Sequence, residues 1–310
     1  MRILKNRYRA EGRAYLLGGE VPFPADDPSR PLALLAKCPA ARATPLVEAP
    51  KLAAATGVGA IFVKDERARM GLGSFKALGA AYAIACDAVE TGAEDLSNAL
   101  AGATYATASA GNHGLSVAAG ARVFGAKAAI FVADTVPEDF ARRLQDKGAT
   151  VIRAGADYEA AMAAAAGRAA EDGWRLLSDS SWPGYFDPPR RVMEGYLAMA
   201  AEAAEATDGP PTHVLLQAGV GGMAAAVAAF ARRRWGDAPR IVVVEPEAAP
   251  ALFASIEAGA PQTATGPVSA MGRLDCKEPS LIALKGLARD ADEFALIGEE
   301  GADAILAPLA

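Results

Sequence analysis

Between residues 103 and 177, short apolar runs alternate with alanine-rich stretches of helical period, and turn residues mark most junctions. Segments 105–108, 128–132, 150–153 and 174–177 read as strands, and segments 115–124, 137–147 and 157–171 as helices. Pro137 stands where a helix can begin and Gly148 where one ends. Parallel strands cannot be joined by tight hairpins; they need crossovers, usually helical. Repeated strand–helix units therefore predict a parallel sheet covered by helices, an α/β fold.

The flanking sequence extends this pattern. Residues 44–47 are extended, 50–56 form a helix stopped by Gly57, 60–63 form a strand, and a helix runs over 75–89 behind a Ser74 N-cap. Further on, helix 191–205, strand 212–217, helix 223–233, strand 240–244 and helix 249–258 follow, with a last helix from about Gly301. Residues 1–43, punctuated by Pro22, Pro24, Pro28, Pro31 and Pro39, predict irregular structure with short helices. The expected organisation is two α/β domains with a cleft between them. A large one combines 1–91 with 183–310, and a small one spans 92–182.

Charge and composition narrow the function. Lys+Arg number 31 against Asp+Glu 37, so the chain of 310 residues lacks the basic footprint of a nucleic-acid binder. Its apolar residues, 52% of the total, support a large core, but charges and glycines interrupt them too often for a membrane span. The start of the chain has no apolar signal core. Cys38, Cys86 and Cys276 lack metal-ligand spacing, and His113 and His213 are the only histidines. We expect no metal site, and the cysteines fit reduced structural thiols of a cytoplasmic protein.

Three stretches carry chemistry. Lys76 falls in the first turn of a helix, where the dipole disfavours a cation and favours the neutral amine that imine formation requires. A solvated surface lysine is the plainer reading of that position. Gly219-Val220-Gly221-Gly222 lies between a buried strand and a helix. Backbone amides and a helix start there suit a phosphate, although close helix–strand packing also asks for glycine. No Gly-Lys-Ser/Thr ending follows, so the turn is not a nucleotide P-loop. Ser109-Ala110-Gly111-Asn112-His113-Gly114 occupies another strand–helix turn. Its amides and the Ser109 hydroxyl can hold a carboxylate, and Asn112 can hydrogen-bond a phenolic oxygen. His113 is either a base or a residue that orients the loop.

With these stretches in view, the sequence resembles the fold type II (tryptophan-synthase β-like) pyridoxal-phosphate enzymes, and within them diaminopropionate ammonia-lyase. The resemblance runs through Lys64-Asp65-Glu66, Phe75-Lys76, Gly111-Asn112-His113-Gly114, Asp179-Ser180-Ser181-Trp182-Pro183-Gly184-Tyr185, Met193-Glu194-Gly195-Tyr196, Gln217-Ala218-Gly219-Val220-Gly221, Val243-Val244-Glu245-Pro246 and Ala270-Met271-Gly272-Arg273-Leu274-Asp275-Cys276. It implies pyridoxal 5'-phosphate as cofactor, joined to Lys76 as an imine, with Asn112 beside the ring's phenolic oxygen. Gly219, Val220, Gly221 and Gly222 would bind the phosphate, and Ser109, Ala110, Gly111, Asn112 and His113 the substrate carboxylate. Lys76 would also take the α-proton, and Asp179 would face the substrate side chain or, more plainly, cap its loop. The implied reaction is β-elimination from a small L-amino acid of the 2,3-diaminopropionate kind, giving a 2-oxo acid and ammonia, in a homodimer. Serine/threonine dehydration, β-replacement by an added nucleophile, and an inactive amino-acid-binding relative are the other readings.

The sequence departs from that pattern twice. The lyases carry an aspartate just before Gly-Asn-His-Gly, where it serves the D-isomer; Ala110 stands there here, as in threonine and serine dehydratases. The fold also adds a late strand that sets a Ser, Thr or Cys against the pyridine nitrogen, and none is evident before Ala310.

Overall fold

The computed structural model describes residues 1–10 and 16–302. The chain opens with strand β1 (Arg2–Lys5) and a single helical turn α1 (Arg7–Ala10), followed by α2 (Ser29–Leu35). The irregular structure expected for 1–43 is therefore corrected at its start, because Arg2–Lys5 pairs antiparallel with a strand near the other end of the chain. A small antiparallel ribbon, β2 (Leu46–Glu48) and β3 (Phe62–Lys64), encloses α3 (Pro50–Thr56). A loop with a 3-10 turn at Arg69–Gly71 then leads into α4 (Lys76–Glu90).

The predicted alternation appears next: β4 (Thr104–Ala108), α5 (Asn112–Val123), β5 (Lys127–Val132), α6 (Glu138–Asp146), β6 (Thr150–Arg153), α7 (Tyr158–Asp172) and β7 (Arg175–Leu176). They form a wholly parallel sheet in the order β6-β5-β4-β7. Asp157 caps α7 by accepting from the Ala160 amide at 2.8 Å. Ala106, Ala129 and Phe131 bury one face of this sheet against Ala161, Ala165 and Ala169 of α7.

The remainder contains α8 (Asp187–Gly195), α9 (Leu197–Glu205), β8 (His213–Gln217), α10 (Gly222–Trp235), β9 (Arg240–Pro246), α11 (Ala251–Ala258), α12 (Leu281–Asp290) and β10 (Glu293–Ile297). The second sheet runs β1-β10-β9-β8, parallel except for β1. The single helix expected over 191–205 is two, divided at Tyr196. Gly195 brings the chain so close to α4 that a Cβ there would lie 2.2 Å from the Leu78 carbonyl oxygen. The Tyr196 ring then covers Gly79, where a Cβ would lie 2.6 Å from its Cε1. A continuous core joins α4, α5, α8, α9, α10, α12 and the second sheet, with Ile84, Val117, Tyr196, Leu197, Ile241, Leu252 and Phe294 fully buried or nearly so. Each such side chain stabilises the fold by about 1.5–3 kcal/mol relative to exposure. The last predicted helix lies largely outside the described residues, and no helix among the described residues is long and apolar enough to cross a membrane.

Candidate active site

Lys76 opens α4, and its position depends on the loop before it. That loop is fixed by a buried charge network. Arg69, fully buried, donates to both Glu66 oxygens at 2.7 Å and to the Glu202 oxygens at 2.9 and 2.6 Å. Lys64 completes it with a 2.7 Å bond to Glu202. The Lys64-Asp65-Glu66 stretch is thus structural: it ties the segment ahead of Lys76 to α9. The hydrogen-bonded helix is counted from Lys76, but Phe75 already has helical dihedrals, which leaves Ser74 as the residue just ahead of the helical conformation. Its hydroxyl accepts from the Lys76 amide at 3.3 Å.

The Lys76 amine is in direct contact with the Asp179 carboxylate, and both are largely buried. Burial pushes the amine's pKa down, but the adjoining Asp179 charge outweighs this and holds it well above the ordinary lysine range. Burial would likewise raise Asp179, and the Lys76 charge more than offsets it, leaving the carboxyl well below its usual range. The expectation of a neutral amine is therefore corrected for this state of the site. An ion pair in a low-dielectric pocket is stronger than the field of one helix end. Asp179 caps no helix; it is the counterion of Lys76.

Asp179 is itself anchored. Ser181, two residues on, accepts from the Ile282 amide at 2.9 Å, and its own amide donates to the Ser280 hydroxyl at 3.1 Å. The Ser280 amide donates to the Val220 carbonyl at 3.0 Å. The start of α12, a helix not anticipated from the sequence, therefore ties the Asp179 loop to the glycine-rich turn. In that turn Gly221 has φ +94, a conformation that side-chain-bearing residues rarely adopt, and Gly222 is the first residue of α10. Among the described residues the Gly219, Gly221 and Gly222 amides have no protein acceptor. A Cβ on Gly222 would approach the Asp179 carbonyl oxygen to 3.7 Å, so the turn lies beside the ion pair.

The second loop reaches the same place. Ser109, Ala110 and Gly111 follow β4, and Asn112 and His113 start α5. The Ser109 hydroxyl accepts from the Gly111 amide at 3.3 Å. His113 is buried, and its Nε2 lies 2.9 Å from the Leu177 carbonyl oxygen. A carbonyl only accepts, so Nε2 carries the proton and Nδ1 is a bare, buried acceptor with no partner among the described residues. Burial, and the Lys76 charge nearby, keep the imidazole below its ordinary pKa despite Asp179. This supports the loop-orienting reading of His113 over the catalytic one.

Three neighbours carry no sequence signal of their own. Cys276, expected to be a structural thiol, lies in the site: a Cβ on Gly219 would stand 2.8 Å from its Sγ. Burial pushes that thiol up to about 11, so it is inert as a nucleophile near neutrality. Cys38 and Cys86 are also free, and Cys86 is fully buried. Tyr196 is 1% exposed, packs edge-on to Phe75 at 5.2 Å, and has no hydrogen-bond partner for its hydroxyl among the described residues. Burial pushes its phenol up to about 12. Arg273 rests on the Ser109 loop. Only tertiary proximity identifies these residues, apart from their membership in the matched motifs.

The site thus presents one buried, ion-paired amine, a turn of unpaired amides at the start of α10 and a second loop at the start of α5. Residues 38–310 match the family described as pyridoxal-phosphate dependent enzyme. The chain belongs to that family. It is 35% identical to diaminopropionate ammonia-lyase of Salmonella typhimurium over 273 residues, covering 81% of this chain and 68% of the relative. A serine dehydratase-like protein of Mus musculus is 30% identical over 72% of this chain and 62% of its own. Among solved structures, diaminopropionate ammonia lyase from Escherichia coli in complex with an aminoacrylate-PLP azomethine reaction intermediate superposes with a TM-score of 0.82 and 30% identity, covering 96% of this chain and 76% of that one. The same enzyme in complex with D-serine gives a TM-score of 0.82. The fold is that of the type II pyridoxal-phosphate enzymes, and pyridoxal phosphate is the cofactor of the family. The residues fit it: Lys76 has an amine that could join its aldehyde, and the unpaired amides of the Gly219–Gly222 turn suit its phosphate.

Proposed function

We propose that this chain is an ammonia-lyase that removes the β-amino group from a small L-amino acid of the 2,3-diaminopropionate kind. With water, that substrate yields pyruvate and two molecules of ammonia. The observation that carries the reading is the contact of Lys76 with Asp179 between the two loops. When bound, pyridoxal phosphate supplies an aldehyde that captures amines and a ring that accepts the electron pair left when Cα loses its proton. Ser109 and the amides of Gly111, Asn112 and His113 hold the substrate carboxylate, with Ala110 leaving room beside it. Asn112 orients the ring's phenolic oxygen, and Gly219, Val220, Gly221 and Gly222 hold the phosphate. Lys76 accepts the Cα proton. Asp179 receives a β-ammonium group as it does the lysine ammonium, holding it in place for departure. His113, neutral and bonded to Leu177, fixes the start of α5.

The domain division at 1–91 plus 183–310 and 92–182 belongs to this reading, each part centred on one four-stranded sheet with the cofactor between them. So do a homodimer and a cytoplasmic location. A dehydratase acting on L-serine or L-threonine is the second reading. It is favoured by Ala110, which gives the Ser-Ala-Gly-Asn-His sequence of that class.

The test is oxo-acid formation by the purified holoenzyme from L-2,3-diaminopropionate, L-serine and L-threonine, with and without an added thiol. We expect 2,3-diaminopropionate to be preferred. Asp179→Asn should lower kcat/KM by about 10²–10³-fold, within the range for a positioned acid–base group. Lys76→Ala should abolish turnover. Preference for a hydroxy amino acid would move the assignment to a dehydratase, thiol capture to a β-replacement synthase, and no product from any substrate would leave the family and fold alone.

A further inference from the structure

The segment that joins α11 to α12 is a built turn. Ser269 donates to Glu299 at 2.6 Å, and the Leu274 amide donates to the Met271 carbonyl at 2.8 Å. Lys277 binds the Ala248 and Pro267 carbonyls at 2.9 and 2.8 Å and Asp275 at 2.6 Å. Its backbone lies on the glycine-rich turn: a Cβ on Gly219 would stand 3.4 Å from Leu274 Cα and 3.6 Å from the Arg273 carbonyl oxygen. The Arg273 side chain crosses from there to the other loop. A Cβ on Gly111 would lie 2.6 Å from Arg273 Nη1, with Ser109 Oγ 3.8 Å from the same point.

Arg273 is solvent-exposed at this point. The guanidinium stands at the start of α5, a twelve-residue helix whose first amides have no intrahelical acceptors and whose dipole is positive there. Asp275, two residues on, is engaged by Lys277, and Asp179 by Lys76. Among the described residues Arg273 itself makes no hydrogen bond or ion pair. A planar fork of donors beside a hydroxyl and free amides suits a carboxylate bound by two parallel hydrogen bonds.

Building on the function proposed above, we infer that Arg273 is a specificity residue that pairs with the α-carboxylate of the substrate held by the Ser109 loop, so that the enzyme selects α-amino acids over the corresponding amides and amines. The turn that carries it spans both loops and closes the carboxylate end of the site. Asp179 reads the cationic end.

Two measurements on the holoenzyme test this. In the first, L-alanine, which has no β leaving group, is titrated by the change in cofactor absorbance, so no elimination is needed. Arg273→Gln should weaken L-alanine binding by about 10–100-fold, as expected for loss of a charged bidentate pair, and leave L-alaninamide binding nearly unchanged; Arg273→Lys should recover part of the loss. In the second, Arg273→Gln should raise KM for L-2,3-diaminopropionate by a similar factor with kcat within about threefold, the pattern of lost uniform binding. Equal binding of L-alanine by wild type and Arg273→Gln, or equal losses for alanine and its amide, would overturn the inference while leaving the lyase assignment intact. Normal discrimination by wild type in the titration, lost in Arg273→Gln, but without oxo acid from any substrate, would uphold Arg273 and sink the lyase assignment. If the holoenzyme does not bind L-alanine, the KM measurement decides: an unchanged KM for L-2,3-diaminopropionate in Arg273→Gln would overturn the inference, and oxo-acid formation alone decides the lyase assignment.

Discussion

At the scale of single residues, the site is a small set of charges brought together by loops distant in the chain. The Lys76 and Asp179 motifs were visible in the sequence because lysine after Ser-Phe and aspartate before Ser-Ser-Trp are distinctive. Their contact was not, since the two are more than a hundred residues apart and only the packing of α4 against the Asp179 loop joins them. Cys276, Arg273 and Tyr196 lie within the matched stretches, but their place in the site was illegible for the same reason. Ala110 carries the prediction that belongs here. Placing a carboxylate at that position, by Ala110→Asp, sets a second acid on the loop opposite Lys76, where the lyase pattern serves the D-isomer. We expect the ratio of D- to L-2,3-diaminopropionate turnover to rise at least about tenfold, within the reach of one acid–base group. Chiral substrate assays with the two isomers measure it directly, and an unchanged ratio would show that Ala110 is not what sets stereochemical preference.

Elements tell a different story. The strand–helix alternation over 103–177 was legible, and its elements emerged within about three residues of their expected ends, because buried parallel strands and amphipathic helices have distinct periods. The second sheet was half legible. β8 and β9 were read, whereas β1 and β10 were missed: a four-residue edge strand, largely exposed, has little pattern, and its partner lies at the other end of the chain. Helix α12 was missed too, although it anchors Ser181. The loop before α4 yields the element-scale prediction. Arg69→Ala leaves Glu66 and Glu202 beside a cavity with Lys64 as the remaining cation and Thr44 as the remaining neutral donor. Breaking one partner of a buried charge network costs about 3–5 kcal/mol. Urea unfolding should show a loss of that size, and kcat should fall as the Lys76 loop loosens; a change under 1 kcal/mol, the range of exposed pairs, would mean that the network is solvated. Glu245 plays the quieter part for α11, accepting from the Leu252 and Phe253 amides at 2.8 and 2.7 Å. Burial nonetheless pushes its carboxyl up to about 8.

The whole molecule couples these parts to pH and to ligand. His113 is buried as a neutral imidazole with its pKa held below the ordinary value of 6.5. Above the unfolded-state value both states are neutral. Below it the unfolded chain takes up a proton that the native chain does not, so native stability falls as pH drops toward the folded value. Glu245 works in the opposite sense: its raised folded value means that its contribution is complete below the unfolded value of 4.5 and is lost as pH rises through about 8. Stability should therefore fall as pH rises from about 6.5 and level off above about 8, while below 6.5 the two slopes oppose one another; His113→Asn should alter that acid limb only. Denaturant midpoints across pH 5–9 check this, and an acid limb unaltered by the substitution would place the titration elsewhere. Cofactor should raise the melting temperature as well, since a ligand at about a hundred times its Kd adds about 2.7 kcal/mol to native stability.

Trp182 stacks on Tyr185 with ring centroids 4.2 Å apart and planes 12° from parallel. The Tyr185 hydroxyl accepts from the Ser178 amide at 3.0 Å and donates to the Leu176 carbonyl at 2.8 Å, so the pair is clamped to β7 three residues beyond Asp179. The molecule thereby contains its own lamp. An indole held rigid three residues from the counterion of Lys76 is within range to pass its excitation to a chromophore that settles against that lysine, and its dimming would follow occupancy in real time without a label.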